Sequence, residues 1–140
     1  KRINGIQTEV AELGNLAEDP FEEFENGAGF KLAQYHLHRA LEGVFNIGAH
    51  ILSCIPGGQA TEYKEIARKL GEYKIVDKKF ADETLTKMAG YRNRLVHFYA
   101  EITPKEIYNL ISEDLNDFNV FLSAVKEVLQ NPSQYNITTD

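Results

Sequence analysis

An all-α fold follows from three features of these 140 residues. Apolar side chains recur at steps of three and four over most of the chain, which is the helical period. No segment alternates in the period of two that marks a half-buried strand. Clear stop and start signals divide the periodic stretches: Pro56-Gly57-Gly58, Thr103-Pro104-Lys105-Glu106 and Asn131-Pro132. Short connections between one-faced helices predict an antiparallel bundle of four main helices plus a short extra helix, forming a single domain over 1–140.

The elements follow in order. Residues 1–17 form the tail of a first helix, with Ile3, Ile6, Val10, Leu13 and Leu16 on one face. The stretch DPFEEFENG reads as a polar looped connection. A long helix over roughly 28–54 presents Phe30, Ala33, Leu37, Leu41, Val44, Gly48 and Ile51, and Pro56-Gly57-Gly58 stops it. Thr61 to Tyr73 is a short helix, with Thr61 placed as its N-cap and Ile66 and Leu70 pointing inward. Another helix runs from about Asp77 to His97. The last opens at Thr103-Pro104-Lys105-Glu106, a capping box with proline in the first helical position. Its stripe runs from Ile107 through Leu115 to Leu129 and is wide enough for more than one neighbour.

Composition narrows the class. Apolar residues make up 43% and charged residues 26%, as in soluble globular proteins. No apolar run approaches the ~18 residues of a membrane span, and nothing reads as a signal peptide. The chain starts at Lys1 rather than Met, which leaves room for a short preceding piece. Cys54 is the only cysteine, so no intrachain disulfide can form and the cytoplasm is the expected compartment. The net charge of −6 argues against general nucleic-acid affinity. Charge is uneven, however: residues 62–94 carry 9 basic and 6 acidic groups, while both flanking regions are acidic.

That basic segment leads into YRNRLVHFY, residues 91–99. Leu85, Met88 and Leu95 set an apolar register in which position 92 should face the core, yet it holds arginine. A guanidinium cannot escape burial by losing its proton, so it must snorkel, pair with a carboxylate or a partner subunit, or line a cleft that takes an anion. Phosphate suits it, because the fork can bind two oxygens. Asn93 follows, then His97, then Tyr99. An arginine to hold phosphate and a histidine to move protons suffice for metal-free RNA cleavage by attack of a 2′-hydroxyl on the neighbouring phosphorus. Arg92 and His97 are five positions apart, so on one helix they point about 140° apart. A two-fold pairing of these helices would gather two arginines and two histidines into one cleft.

Arg92-Asn93-x-x-x-His97-x-Tyr99 resembles the Arg-x4-6-His signature of the HEPN superfamily. The tyrosine two past the histidine is similar to the HepT toxin family. The short helix AlaArgLysLeuGly (67–71), the lead-in Lys87-Met88-Ala89-Gly90-Tyr91 and the final helix opening just after the tyrosine match HepT-type proteins in order and spacing. The resemblance covers nearly the whole chain. It implies a HEPN-like helical bundle that forms a homodimer around a shared cleft. It implies a toxin that is a metal-independent endoribonuclease acting on RNA, with Arg92 and His97 as the catalytic pair and Asn93 in support. It also implies a MntA-type nucleotidyltransferase antitoxin, which transfers AMP to Tyr99; the anionic adduct would block the cleft and repel RNA. An acidic residue on the long second helix is a further family feature, and both Glu42 and Asn46 lie near that place.

Other signals are weaker. His36 and His38 point to different sides of their helix and cannot share a metal. His38 and Glu42 are one turn apart and read as a surface pair rather than half of a metal site. His50 reads as a partly buried histidine and Cys54 as a small core residue, while Tyr35 reads as a packing residue, with a place facing the cleft as its alternative. No cofactor is expected. The alternative to a toxin ribonuclease is a non-catalytic helical binding module that docks a nucleotidyltransferase, which the acidic surface favours. A plain helical scaffold, with Arg92 paired inside a dimer, is a third possibility.

Overall fold

The computed structural model describes residues 2–97, 102–135 and 137. Among these, every regular element is helical: α1 (Arg2–Ala17), α2 (Phe21–Asn26), α3 (Gly29–Ser53), α4 (Tyr63–Glu72), a π-helical turn (Phe80–Leu85), α5 (Thr86–Val96), α6 (Pro104–Glu113), α7 (Asn116–Gln130) and a terminal 3-10 turn (Pro132–Tyr135). α3 is the central element and packs against α1, α2, α4, α5 and α6. Its buried face carries Ala33, Leu37, Ala40, Leu41, Val44, Phe45, Gly48, Ile51 and Leu52. Burial of that face, at about 25 cal/mol per Å² of apolar surface, is the main force holding the bundle.

The long helix begins and ends within a residue or so of its expected bounds, because its punctuation is strong. Ala28 precedes it, and the chain turns back at Gly58, whose N–H donates to Ile55 O at 2.9 Å. The start of α6 is also as expected: Thr103 Oγ1 accepts from the Glu106 N–H at 3.1 Å, with Pro104 in the first turn.

Four features differ from the expectation. DPFEEFENG is not a loop, since Phe21–Asn26 forms a helix that buries Phe24 completely. The last helix is two, α6 and α7, divided at Asp114-Leu115. Thr61 is not the N-cap of α4; Glu62 holds that position, with no side-chain capping bond. The helix leading to the Arg92 region is not uniformly α, because residues 80–85 are wound as a π turn. Thr86 Oγ1 donates to Ala81 O at 2.9 Å inside that turn. A π turn takes up one extra residue and so resets the azimuth of everything after it. Its buried residues are Ala81 and Leu85, followed by Met88 and Ala89 in α5.

No helix among the described residues is long and apolar enough to cross a membrane.

Candidate active site

α5 carries Arg92 up to the flank of α3, opposite the first residue of α4. Among the described residues no charged side chain is fully buried, and Arg92 keeps 23% of its side chain exposed. The core-facing slot is therefore a half-buried one. Arg92 Nε donates to Glu42 Oε1 at 3.1 Å. The guanidinium carbon lies over the Tyr63 ring, 3.9 Å from its centroid, and the Tyr63 hydroxyl donates to the same Glu42 oxygen. Arg92 Nη1 donates to Asn93 Oδ1 at 3.3 Å. Three sides of the guanidinium are held, while Nη2 has no hydrogen-bond partner among the described residues. Stacking on an aromatic face and pairing through Nε fix a guanidinium far better than either alone.

Of the two polar candidates on α3, Glu42 is the one that meets Arg92. Asn46 is exposed and lines a cleft beside it. Partial burial pushes the Glu42 carboxyl up, but the hydrogen bonds from Tyr63 and Arg92 and the nearby positive charge outweigh it and hold it below the usual carboxylate range. Burial and the Glu42 carboxylate push the Tyr63 phenol up. Glu42 is thus an anion and Tyr63 a neutral donor at neutral pH.

His97 is the C-cap of α5, with φ −108° and ψ 119°, and is exposed. Asn93 is half-buried beside Arg92. Tyr99 lies outside the described residues. The chain on either side of that segment is tied together: Arg94 Nη2 donates to Glu106 Oε1 at 2.9 Å, and Tyr91 donates to Glu106 Oε2 at 3.3 Å. Glu106 is also the residue whose N–H is capped by Thr103. The end of α5 is therefore clamped to the start of α6.

A cleft of about 490 Å³ opens between α1 and α3 next to Glu42, with Glu9, Tyr35, His38, Arg39 and Asn46 among its walls. Glu9 is gripped by His36 Nδ1 at 2.7 Å and by the Arg39 guanidinium. Tyr35 is 55% exposed here, with Arg39 5.6 Å from its ring centroid, so it is not the packing residue expected. His50 is exposed rather than partly buried, and Cys54 is half-buried at the end of α3. Tyr63 went unforeseen: it lies 29 positions before Arg92 on another helix, and no local pattern joins them.

The model for HepT-like ribonucleases matches residues 6–125. This chain belongs to the HepT-like family. A tRNA nuclease HepT from Aphanizomenon flos-aquae is 30% identical over 88 residues, covering 63% of this chain and 59% of that protein. The HepT-like chain thus spans less than two thirds of the length of that curated relative. A tri-AMPylated HEPN toxin of Shewanella oneidensis, solved in complex with an MNT antitoxin, superposes with a TM-score of 0.82 at 22% identity, covering 90% of this chain and 94% of that one. That likeness establishes the all-α HEPN fold.

Proposed function

We propose that this chain is a toxin that works as a metal-independent endoribonuclease, in the cytoplasm, as a homodimer. The observation that carries the reading is the anchored Arg92, stacked on Tyr63 and held by Glu42, with Nη2 left to meet an anion. Membership of the HepT-like family supports it. In this reading Arg92 binds the scissile phosphate and stabilises the charge that grows on it as the 2′-hydroxyl attacks. His97 moves a proton, Asn93 positions Arg92 through the Nη1 contact, and a two-fold mate closes the cleft. The named relative suggests tRNA as the first substrate to try.

The antitoxin in this reading is a MntA-type nucleotidyltransferase that adds AMP to Tyr99. The Shewanella oneidensis toxin described as tri-AMPylated and bound to an MNT antitoxin supports it. In the sequence Tyr99 follows His97 by two residues. An anionic adduct there would compete with phosphate for Arg92.

The second reading, a non-catalytic module that docks a nucleotidyltransferase, is favoured by two observations. Arg92 already meets a carboxylate, and the whole chain carries a net charge of −6. Induced expression of the wild type beside His97→Ala in a bacterial host separates the two. The ribonuclease reading expects growth arrest and fragmented RNA from the wild type alone. Intact RNA and normal growth with both would leave the docking module.

A further inference from the structure

Cleavage by 2′-hydroxyl attack needs two proton transfers in one turnover. One group takes the proton of the nucleophile, and another gives a proton to the leaving 5′ oxygen. An arginine side chain does not serve as the proton donor or acceptor here, and His97 lies beyond the last turn of α5, as its extended C-cap. The structure places another imidazole on the Arg92 side.

His38 stands one turn before Glu42 on α3, with Nε2 3.7 Å from Glu42 Oε2. The two oxygens of Glu42 are thus divided: Oε1 takes Arg92 and Tyr63, and Oε2 faces His38. Nε2 is shielded from solvent and has no hydrogen-bond partner among the described residues, while 38% of the side chain is exposed. With Nε2 shielded, Nδ1 is the remaining ring nitrogen of a part-exposed side chain that lines the cleft. At 3.7 Å the carboxylate makes no hydrogen bond to the ring, but its charge balances the one that forms when the imidazole captures a proton.

The cleft in front of His38, about 490 Å³, is of the size that takes a small ligand such as one nucleotide. Its carboxylates are matched, Glu9 by His36 and Arg39, and Glu42 by Arg92, so a phosphodiester can approach without meeting a bare negative charge. The exposed Tyr35 ring offers a base a stacking face at the mouth.

We propose that His38 is a catalytic residue, the base that takes the proton of the attacking 2′-hydroxyl through Nδ1, while His97 donates to the leaving 5′ oxygen. The proposal rests on the ribonuclease reading above. The bond from O2′ to phosphorus forms, and the bond from phosphorus to O5′ breaks. His38 gains a proton and His97 loses one. The products are a 2′,3′-cyclic phosphate and a 5′-hydroxyl end, and both rings reset by proton exchange with water.

The test uses the purified full chain and a short RNA with one scissile linkage, followed in single turnovers. His38→Ala should lower the rate about 100-fold or more, and imidazole added to the buffer should restore part of it. A 5′-bridging sulfur at the scissile linkage leaves without needing a proton. It should rescue His97→Ala and leave His38→Ala slow. His38→Asn, which keeps a polar side chain, should be as slow as His38→Ala at an unchanged melting temperature. Cleavage at the wild-type rate by His38→Asn or His38→Ala overturns the proposal, and so does rescue of His38→Ala by the sulfur linkage. A wild type that cuts no RNA brings down the ribonuclease reading itself, and the role of His38 falls with it.

Discussion

Glu42 joins three helices through one carboxylate. It receives Tyr63 from α4 and Arg92 from α5, and it faces His38 on its own helix. Replacing it with glutamine keeps the shape and removes the charge. Glu42→Gln should cost about 1–2 kcal/mol, around the low end of the ~1.5–3 kcal/mol of a hydrogen bond to a charged group, because 31% of the side chain is exposed. In a chain of this size that is roughly 3–6 °C in Tm. A melting curve like the wild type's would mean that Arg92 is held by Tyr63 alone. At this scale the sequence was half legible. Arg92 announced itself by breaking an apolar register, and the i,i+4 spacing of His38 and Glu42 marked them as neighbours. Glu42 could not be told from Asn46, because both lie on the same stretch of α3 and only the approach of α5 chooses between them. Tyr63 was invisible, because its role depends on how α4 sits across α3.

The elements were readable wherever the chain carries explicit punctuation. Thr103 shows what such a signal is worth: its side chain caps α6, and the same turn holds Glu106 against Arg94. Thr103→Ala should destabilise by about 1 kcal/mol, the usual cost of a lost N-cap. Chemical denaturation of the two proteins measures this, and an unchanged midpoint would mean that the Arg94–Glu106 tie sets the helix start unaided. α2 was missed because six residues are too few to display a period, and their acidic content reads as loop. The break at Asp114-Leu115 was missed because the apolar steps from Ile111 through Leu115 to Phe118 run on unaltered across it. α5 carries an inefficiency of its own at Gly90, where an added Cβ would meet nothing within 4 Å. Gly90→Ala should therefore stabilise the protein by up to about 1 kcal/mol, the helix-propensity difference. Gly58→Ala is the contrast, since its Cβ would fall 2.5 Å from Leu52 O, a backbone atom that cannot move aside. That variant should lose about 2 kcal/mol or more. Denaturation midpoints that move the same way for both would refute the packing on which these two expectations rest.

Across the whole molecule, ion pairs bind helices that the core has already brought together. Glu9 ties α1 to His36 and Arg39 of α3, Glu42 ties α3 to α5, and Glu106 ties α6 to α5. All three carboxyls are held below their ordinary value of 4.5. For Glu106 the hydrogen bond from Arg94 is the main cause, whereas for Glu9 and Glu42 the hydrogen bonds of their partners outweigh an upward push from burial. A carboxyl depressed in the folded state binds protons more tightly when unfolded. Its stabilisation is therefore present above pH 4.5 and is lost as the pH falls through the lower folded values. Asp117 works in the opposite sense. Burial and the Asp114 charge raise it above 3.8, so its ionisation costs stability at neutral pH and acid relieves that cost. Three groups against one give a net loss in acid. Tm followed from about pH 7 to about pH 3 should hold level and then fall below about pH 4.5. The fall should be shallower in a Glu9→Gln, Glu106→Gln double variant, which has already lost two of the three contributions. Equal slopes in the two proteins would mean that these pairs add nothing beyond what solvent provides, and that apolar packing on α3 alone sets the acid limit.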